Sequence, residues 1–179
     1  MTNYKEILSK YTYQGDTEII ERIRNFSERD EREAKDIINA IVLWKVNRQV
    51  DIGFDLFCKI QELNLNDISD VSNREEEIRA LLNLMLEVKG VRMAMASTIL
   101  KMFYPNVLPI IDQRAYRELY EGKELPEYMK IQDCINTYIE YVYECHAYYT
   151  KNCDGKIGFC DLDKILYQMD VDKGNKVHY

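Results

Sequence analysis

The sequence lacks long apolar runs and has few of the residues that interrupt helices. No stretch approaches the roughly 18 to 20 apolar residues that cross a bilayer, and the first residues lack the apolar core of a secretion signal. We therefore expect a cytoplasmic protein with no membrane partner. Only three prolines and seven glycines occur among 179 residues, and so few helix breakers predict long helices joined by short connections. The fold class that follows is all-α.

Basic residues are the minority charge, which bears on the class of ligand. Lysine and arginine together number 24, aspartate and glutamate number 31, and the formal net charge is −7. This balance argues against indiscriminate binding to nucleic acid. A local basic patch is compatible with it, because a few cations on one face are enough to contact phosphates.

Histidine is scarce as well, and the cysteines show no regular metal-binding pattern. The chain has two histidines and five cysteines, and in a reducing compartment we expect the cysteines to be thiols. An adjacent Cys-His pair and two later cysteines could form a zinc site from Cys145, His146, Cys153 and Cys160. Their spacing is irregular and no CxxC is present. We therefore expect no metal and no cofactor.

Apolar residues at three- and four-residue steps predict seven helices. The stripe is clearest in EREAKDIINAIVLWKVNR, where it runs from Ala34 to Lys45 and takes in Trp44 near its edge. We expect Asn73 to cap a helix, because acids follow it in the first turn, and Gly122 to end the helix that follows Asp112. The predicted helices cover residues 31–48, 54–63, 73–88, 93–104, 112–121, 129–149 and 161–173, with a loop at 151–160.

Tyrosine is abundant, with 14 among 179 residues, and several crowd the predicted helix 129–149. Aromatic faces could stack a flipped or single-stranded base. We favour the alternative, in which these tyrosines form a core edge or a partner surface. The apolar stripe of this helix predicts burial of Tyr138 and exposure of Tyr141 and Tyr148. Its other members are Ile131, Ile135, Ile139 and Val142.

A short connection joins two predicted helices at Lys89, Gly90, Val91 and Arg92. A helix that restarts just after a glycine exposes the amides of its first turn, and these amides with the helix dipole form an anion site. If the anion is a DNA phosphate, Lys89 and Arg92 flank it. The alternative is a tight corner whose glycine permits a left-handed backbone and whose basic residues are solvated.

Asp112 precedes the predicted helix QRAYREL, and this position permits two roles. As an N-cap it would accept amide hydrogen bonds and stabilise the helix by about 1 kcal/mol. As a catalytic group it would face a pocket and offset a developing positive charge. The two roles are compatible, because a cap at a cleft holds its carboxylate rigidly.

Two stretches, LLNLMLEVKGVRMAMASTIL and YPNVLPIIDQRA, together resemble the signature of the helix-hairpin-helix DNA glycosylase superfamily, the fold of endonuclease III. In that family a Gly-hydrophobic-Gly hairpin grips the DNA backbone, an alanine-rich helix follows, and an aspartate after a hydrophobic residue is catalytic. Asp112 follows Gly90 by 22 positions, which suits the family's separation. The matching residues are Gly90, Val91, Ala94, Ala96, Ser97, Pro109, Ile111 and Asp112.

The chain is more specifically similar to an uncharacterised bacterial group within this superfamily. Relatives in that group carry a W-K-x-x-R stretch, matched by Trp44, Lys45 and Arg48, and a closing L-D-x-x-L helix. The resemblance implies one domain over residues 1–179, with the helix-hairpin-helix and the acid loop at 77–119. The N- and C-terminal helices would form the second lobe of a two-lobed helical bundle.

Three residues depart from the family's pattern. Arg92 replaces the second hairpin glycine and adds a positive charge. Ala94 stands where bifunctional members carry the lysine that forms a Schiff base with the sugar, so that chemistry is not expected here. Arg114 stands where a histidine or valine is usual, and its guanidinium could pair with Asp112.

The resemblance therefore implies a DNA-binding protein of DNA repair, a hydrolase acting as a monofunctional DNA N-glycosylase. A base of duplex DNA would be flipped into the cleft between the lobes, where Asp112 stabilises the oxocarbenium-like sugar. The alternative is a non-catalytic member that binds DNA or another protein, in which Asp112 and Arg114 form a structural pair. Phosphate would be held by Lys89, Gly90, Val91 and Arg92. The supporting residues are Arg114, Trp44, Lys45 and Arg48, of which we expect Trp44 in the core, with Lys45 and Arg48 on its polar flank.

Overall fold

The computed structural model describes residues 4–10, 16–26, 30–46, 50, 52–153 and 155–177, with residue 46 described by its backbone. Within these ranges the chain is helical and contains no strand, which confirms the all-α prediction. None of the helices described is long and apolar enough to cross a membrane. The helices are α1 (Tyr4–Ser9), α2 (Asp16–Arg24), α3 (Glu31–Val46), α4 (Phe54–Glu62), α5 (Ile68–Asn73), α6 (Glu75–Glu87), α7 (Met93–Phe103), α8 (Gln113–Leu119), α9 (Ile131–Asn152) and α10 (Leu162–Asp172).

The chain divides into two compact units. The central unit is Gln14–Leu108, and the terminal unit combines Met1–Tyr13 with Pro109–Tyr179. In the terminal unit α1 packs against α10, and α8 packs against both α9 and α10. The N-terminal helix therefore shares a core with the C-terminal half of the sequence.

The central unit is built around α3, whose predicted apolar stripe is confirmed from Ala34 to Val42, whereas Trp44 and Lys45 are partly exposed. The buried stripe residues are at most 1% exposed, and α3 packs against α2, α4 and α7. Each isoleucine buried in this way contributes roughly 1.5 to 3 kcal/mol. Edge-to-face ring contacts join Phe57 to Phe26 and Phe103, with centroids 5.0 and 5.2 Å apart. The buried stripe residues are Ala34, Ile37, Ile38, Ile41 and Val42.

One predicted helix start is wrong because an additional short helix precedes it. Asn73 is the last residue of α5, and α6 begins at Glu75 with Arg74 at its N-cap. The capping side chain in this region is Asp67, which accepts hydrogen bonds from the amides of Ser69 and Asp70. Residue type does not separate the two candidates, because aspartate and asparagine cap helices equally well. Position favours Asp67, because only Asp67 follows a loop.

The terminal unit buries more of α9 than its predicted stripe. Ile135, Ile139 and Val142 are buried as predicted, whereas Ile131 is 37% exposed at the first residue of the helix. The predicted exposure of Tyr141 is wrong, because its side chain is completely buried. Tyr141 lies three residues after Tyr138, so the two side chains lie on the same side of α9. The α8 helix packs against α9 and covers Tyr141.

Candidate functional site

The predicted corner between α6 and α7 consists of residues 88–92. The α6 helix ends at Glu87, and the Val91 amide donates a hydrogen bond to the Val88 carbonyl at 3.0 Å. Gly90 has a φ of +90°, in the region that favours glycine. Arg92 is the extended N-cap of α7, and its carbonyl accepts from the amides of Met95 and Ala96.

The outer face of this corner carries positive charge and a helix N-terminus. Lys89, Gly90 and Arg92 are exposed. The Arg92 side chain makes no capping hydrogen bond, and the first turn of α7 contains no acid. Every other helix in the described ranges has an acid in its first turn or, for α8, an aspartate cap. The positive end of the α7 dipole is therefore not offset by its own sequence.

The remaining residue predicted to hold phosphate and three of the predicted supporting residues lie in different environments. Val91 is 4% exposed and its amide is used within the turn, so Val91 anchors the corner by packing. Trp44 and Lys45 lie in the last turn of α3, each partly exposed, and α3 packs against α7. Arg48 lies outside the described residues.

Replacing Gly90 by alanine should lower the stability of the central unit. An L-residue held at this φ costs about 1 to 2 kcal/mol, and the new Cβ would lie 3.5 Å from Cγ1 of Val50, an ordinary contact. Thermal unfolding of Gly90→Ala measures the effect. The matched control is Gly53→Ala, because Gly53 has a φ of −61° and open space at its Cβ. Equal melting temperatures for the two variants would contradict the assigned backbone strain.

Asp112 is the N-cap of α8, as predicted. Its Oδ1 accepts hydrogen bonds from the amides of Arg114 and Ala115, both at 2.9 Å. The residue is extended, with φ −141° and ψ 172°, and its side chain is partly exposed. Two amide donors on one oxygen fix the direction of the carboxylate and hold it at the positive end of α8.

Three buried side chains hold the backbone immediately before Asp112. The Ile110 amide donates to Oδ2 of Asp163 at 2.9 Å, and the Ile110 carbonyl accepts from the Tyr141 hydroxyl at 3.1 Å. The Tyr138 hydroxyl donates to the Pro109 carbonyl at 3.0 Å. Both tyrosines are 0% exposed and Asp163 is 4% exposed. Side chains of α9 and α10 thus form the hydrogen bonds of this irregular segment, because its buried backbone groups need partners.

Burial also keeps these two tyrosines in the donor state. It raises the pKa of Tyr138 and Tyr141 well above the ordinary value near 10, and the charges of Cys145 and Asp163 raise both further. For Tyr141 the negative charge of Asp112 contributes in the same direction. The two hydroxyls therefore stay protonated throughout the range in which proteins fold and work.

The Arg114 guanidinium holds a different acid, Asp170 of α10. Its Nη1 donates to Oδ2 of Asp170 at 3.0 Å, and Arg117 makes two further bonds to the same carboxylate at 2.7 and 2.8 Å. Asn175 donates to Oδ1 of Asp170 at 2.7 Å. Arg114 donates its backbone amide to Asp112 as part of the helix cap, while the guanidinium that was expected to pair with Asp112 binds Asp170.

Sequence reasoning did not identify Asp170 or Arg117, and it matched Asp163 only as the aspartate of the closing L-D-x-x-L helix, without a role. Both aspartates lie on the buried face of α10, alongside Leu162, Ile165 and Leu166. An acid within an apolar helical stripe is the signal that could have found them, because a buried carboxylate requires partners. The partners themselves are 53 positions away in each case.

Three of the four residues considered for zinc lie in different environments. Cys145 is completely buried, and the ring of His146 stacks on Phe159 with centroids 3.8 Å apart. Burial raises the pKa of the Cys153 thiol, which disfavours the thiolate form that metals bind. In the part of the chain that the structure describes, no three cysteine, histidine, aspartate or glutamate side chains come together as metal ligands.

A cleft of about 790 Å³ opens beside the C-terminal ends of α8, α9 and α10. Arg117 and Asp170, which lie in its lining, are bonded to each other, and Lys173 binds Glu118 at 2.7 Å. These four charged residues of the lining are therefore engaged within the protein. Asp112 is not among its lining residues.

Comparison with known proteins finds no family model, curated protein or solved structure that matches this chain.

Proposed function

We propose that this protein has the two-lobed helix-hairpin-helix glycosylase fold and binds the DNA backbone at the corner formed by residues 88–92. The observation that carries the proposal is the coincidence of exposed Lys89 and Arg92 with the unoffset N-terminus of α7. The positive dipole end of a helix favours phosphate, and two cations beside it add charge. The exposed Gly90 presents no side chain that would keep a phosphate away from the backbone.

Because the protein as a whole is acidic, binding to DNA would depend on this local positive charge. With a formal net charge of −7, general attraction to DNA is weak and the strands would be held only where positive charge is concentrated. Contacts of this kind set position without reading sequence. Recognition of a particular base would then depend on the site where the base is received.

The second part of the proposal assigns Asp112 as the catalytic carboxylate of a monofunctional DNA N-glycosylase. In the reaction the bond between the base nitrogen and C1′ breaks, the base leaves with the electron pair and gains a proton, and water adds to C1′. The Asp112 carboxylate would stabilise the positive charge on the sugar and orient the water. Its support is the rigid, partly exposed carboxylate, together with Ala94 in place of a Schiff-base lysine.

Removing the two corner charges should reduce the salt dependence of DNA binding. For Lys89→Gln combined with Arg92→Gln we expect the slope of log affinity against log salt to shrink by about 2, with similar loss on every sequence. The measurement is a fluorescence anisotropy titration of duplex DNA at several salt concentrations.

The matched control carries the same loss of charge at other exposed sites, Lys59→Gln combined with Lys151→Gln. Equal slopes for the two double variants would show that the corner is not the contact. Affinity that is independent of salt, or no affinity for duplex DNA, would remove the phosphate-binding proposal.

A base-release assay tests the catalytic part. Duplexes carrying deaminated, alkylated, oxidised or mismatched bases are incubated with the protein, and free base and abasic sites are measured. We expect release without strand cleavage and without an adduct trapped by borohydride, because Ala94 supplies no amine to form a Schiff base. No release from any duplex would leave the non-catalytic alternative.

That alternative is favoured by the structural use of the residues around Asp112. Its Oδ1 caps α8, and Arg114 and Arg117 tie α8 to α10 through Asp170. These bonds would be needed in a protein that only binds DNA or another protein. The salt-dependence and base-release measurements together distinguish this alternative from the enzyme.

A further inference from the structure

The backbone that precedes Asp112 is held by side chains instead of by secondary structure. Residues 109 and 110 together offer two carbonyls and one amide, and each forms a hydrogen bond with a buried side chain from α9 or α10. A segment of this kind could have satisfied its polar groups in water or in a turn, as loops commonly do. Here it is buried, and three polar side chains are buried with it.

We propose that Tyr138, Tyr141 and Asp163 are positioning residues for Asp112, which together fix the backbone before it so that its carboxylate points in one direction. The inference rests on the proposed catalytic role of Asp112, and it names residues that act through the backbone and do not touch the substrate. A carboxylate that must meet a reacting carbon gains from such rigidity, because small displacements of a catalytic group reduce rates strongly.

The arrangement restrains Asp112 from both sides along the chain. On its N-terminal side, two residues away, the Ile110 amide donates to Asp163 and the Ile110 carbonyl accepts from Tyr141. On its C-terminal side the amides of Arg114 and Ala115 bind Oδ1 directly. Rotation of the Asp112 backbone would therefore require breaking bonds on one side or the other.

Several features favour positioning over packing alone. Phenylalanine would fill the space of either tyrosine, yet both positions carry a hydroxyl directed at a backbone carbonyl. Asp163 places an acid in a position that is 4% exposed, where an uncompensated carboxylate would be costly. The three hydrogen bonds converge on consecutive residues that lead directly to Asp112. They give one short stretch an order that its own sequence, with a proline and two isoleucines, does not supply.

The test removes one hydroxyl at a time and follows the amides that bind Asp112. In Tyr141→Phe and Tyr138→Phe we expect hydrogen exchange at the Arg114 and Ala115 amides to become at least about 10-fold faster relative to the amides of α10. If the wild type releases base, the single-turnover rate should fall about 10- to 100-fold with unchanged DNA affinity.

Tyr104→Phe is the matched control. The Tyr104 hydroxyl accepts from the Asn64 amide and donates to the Ile60 carbonyl in the central unit. The control variant therefore also loses a buried hydroxyl that is bonded to the backbone. We expect exchange at Arg114 and Ala115 to stay at the wild-type rate in this variant.

Wild-type exchange at Arg114 and Ala115 in both Tyr138→Phe and Tyr141→Phe would overturn the positioning proposal, as would equal acceleration in Tyr104→Phe. A wild-type protein that releases no base overturns the enzyme assignment but leaves the exchange measurement intact. The two failures are therefore distinguishable.

Discussion

Asp112→Asn is expected to reduce base release by at least about 100-fold while leaving the stability of the protein unchanged. The asparagine side-chain oxygen can still accept from the Arg114 and Ala115 amides, and asparagine caps helices as well as aspartate does. A neutral amide cannot offset the positive charge that develops on the sugar, and single electrostatic contacts of this type contribute roughly 100- to 1,000-fold to rates.

The measurement is single-turnover release from whichever duplex the wild type processes, with thermal unfolding measured in parallel. Asp67→Asn is the matched control, because Asp67 caps α5 by accepting from the amides of Ser69 and Asp70 in the same way. Wild-type release by Asp112→Asn would contradict the catalytic assignment. A fall in melting temperature together with the rate would instead indicate that the carboxylate is structural.

Asp170→Asn is expected to lower the free energy of unfolding by about 3 kcal/mol at neutral pH. Asp170 is completely buried and accepts three bonds from Arg114 and Arg117 and one from Asn175. Removing one partner of a buried ion pair leaves the other charges uncompensated, at a cost of about 3 to 5 kcal/mol. The lower end applies because water still reaches part of the Arg114 side chain, which is 19% exposed.

The same cluster should make the protein sensitive to acid. Burial alone would raise the pKa of Asp170, but hydrogen bonds from Arg117 and Asn175 and the charge of Arg117 outweigh it and hold the pKa below its usual value. A carboxyl whose pKa is lower when folded stabilises the protein fully above its unfolded pKa, near 3.9. That contribution is lost as the pH falls from about 4 through the folded-state pKa.

Chemical denaturation of wild type and Asp170→Asn between neutral pH and pH 3 measures both effects. We expect the difference between the two proteins to narrow as the pH falls. Asp172→Asn is the control on the same helix, since Asp172 is exposed and accepts from Lys10 and from the side-chain amide of Gln168. We expect no measurable change in that variant, and a loss equal to that of Asp170→Asn would contradict the role assigned to the buried cluster.

Much of the helical architecture could be predicted because helices depend on residues close together in sequence. The scarcity of prolines, the stripe of α3 and the cap at Asp112 each involve positions within about four residues of one another. The corner at Gly90 is local in the same sense. The errors at Asn73 and Ile131 arose at helix ends, where neighbouring elements decide which residue begins the helix.

The candidate site could be predicted only in part. Asp112 and the exposed pair Lys89 and Arg92 were identified from local pattern and from resemblance. Tyr141 was predicted to be exposed, because it lies outside the apolar stripe of α9 that Tyr138 and Val142 define. Its burial depends on α8, which packs against α9 and widens the covered face.

By itself the sequence determined an all-α chain, a glycine corner with two cations, and an aspartate cap at the start of α8. Only the tertiary structure decided which acids became buried and what they bound. Asp170 meets Arg117 across 53 positions, and Tyr141 meets Ile110 across 31. The physical reason is that capping and helical periodicity act over one turn, whereas a buried polar group takes its partner from whichever distant element the packing of the core brings to it.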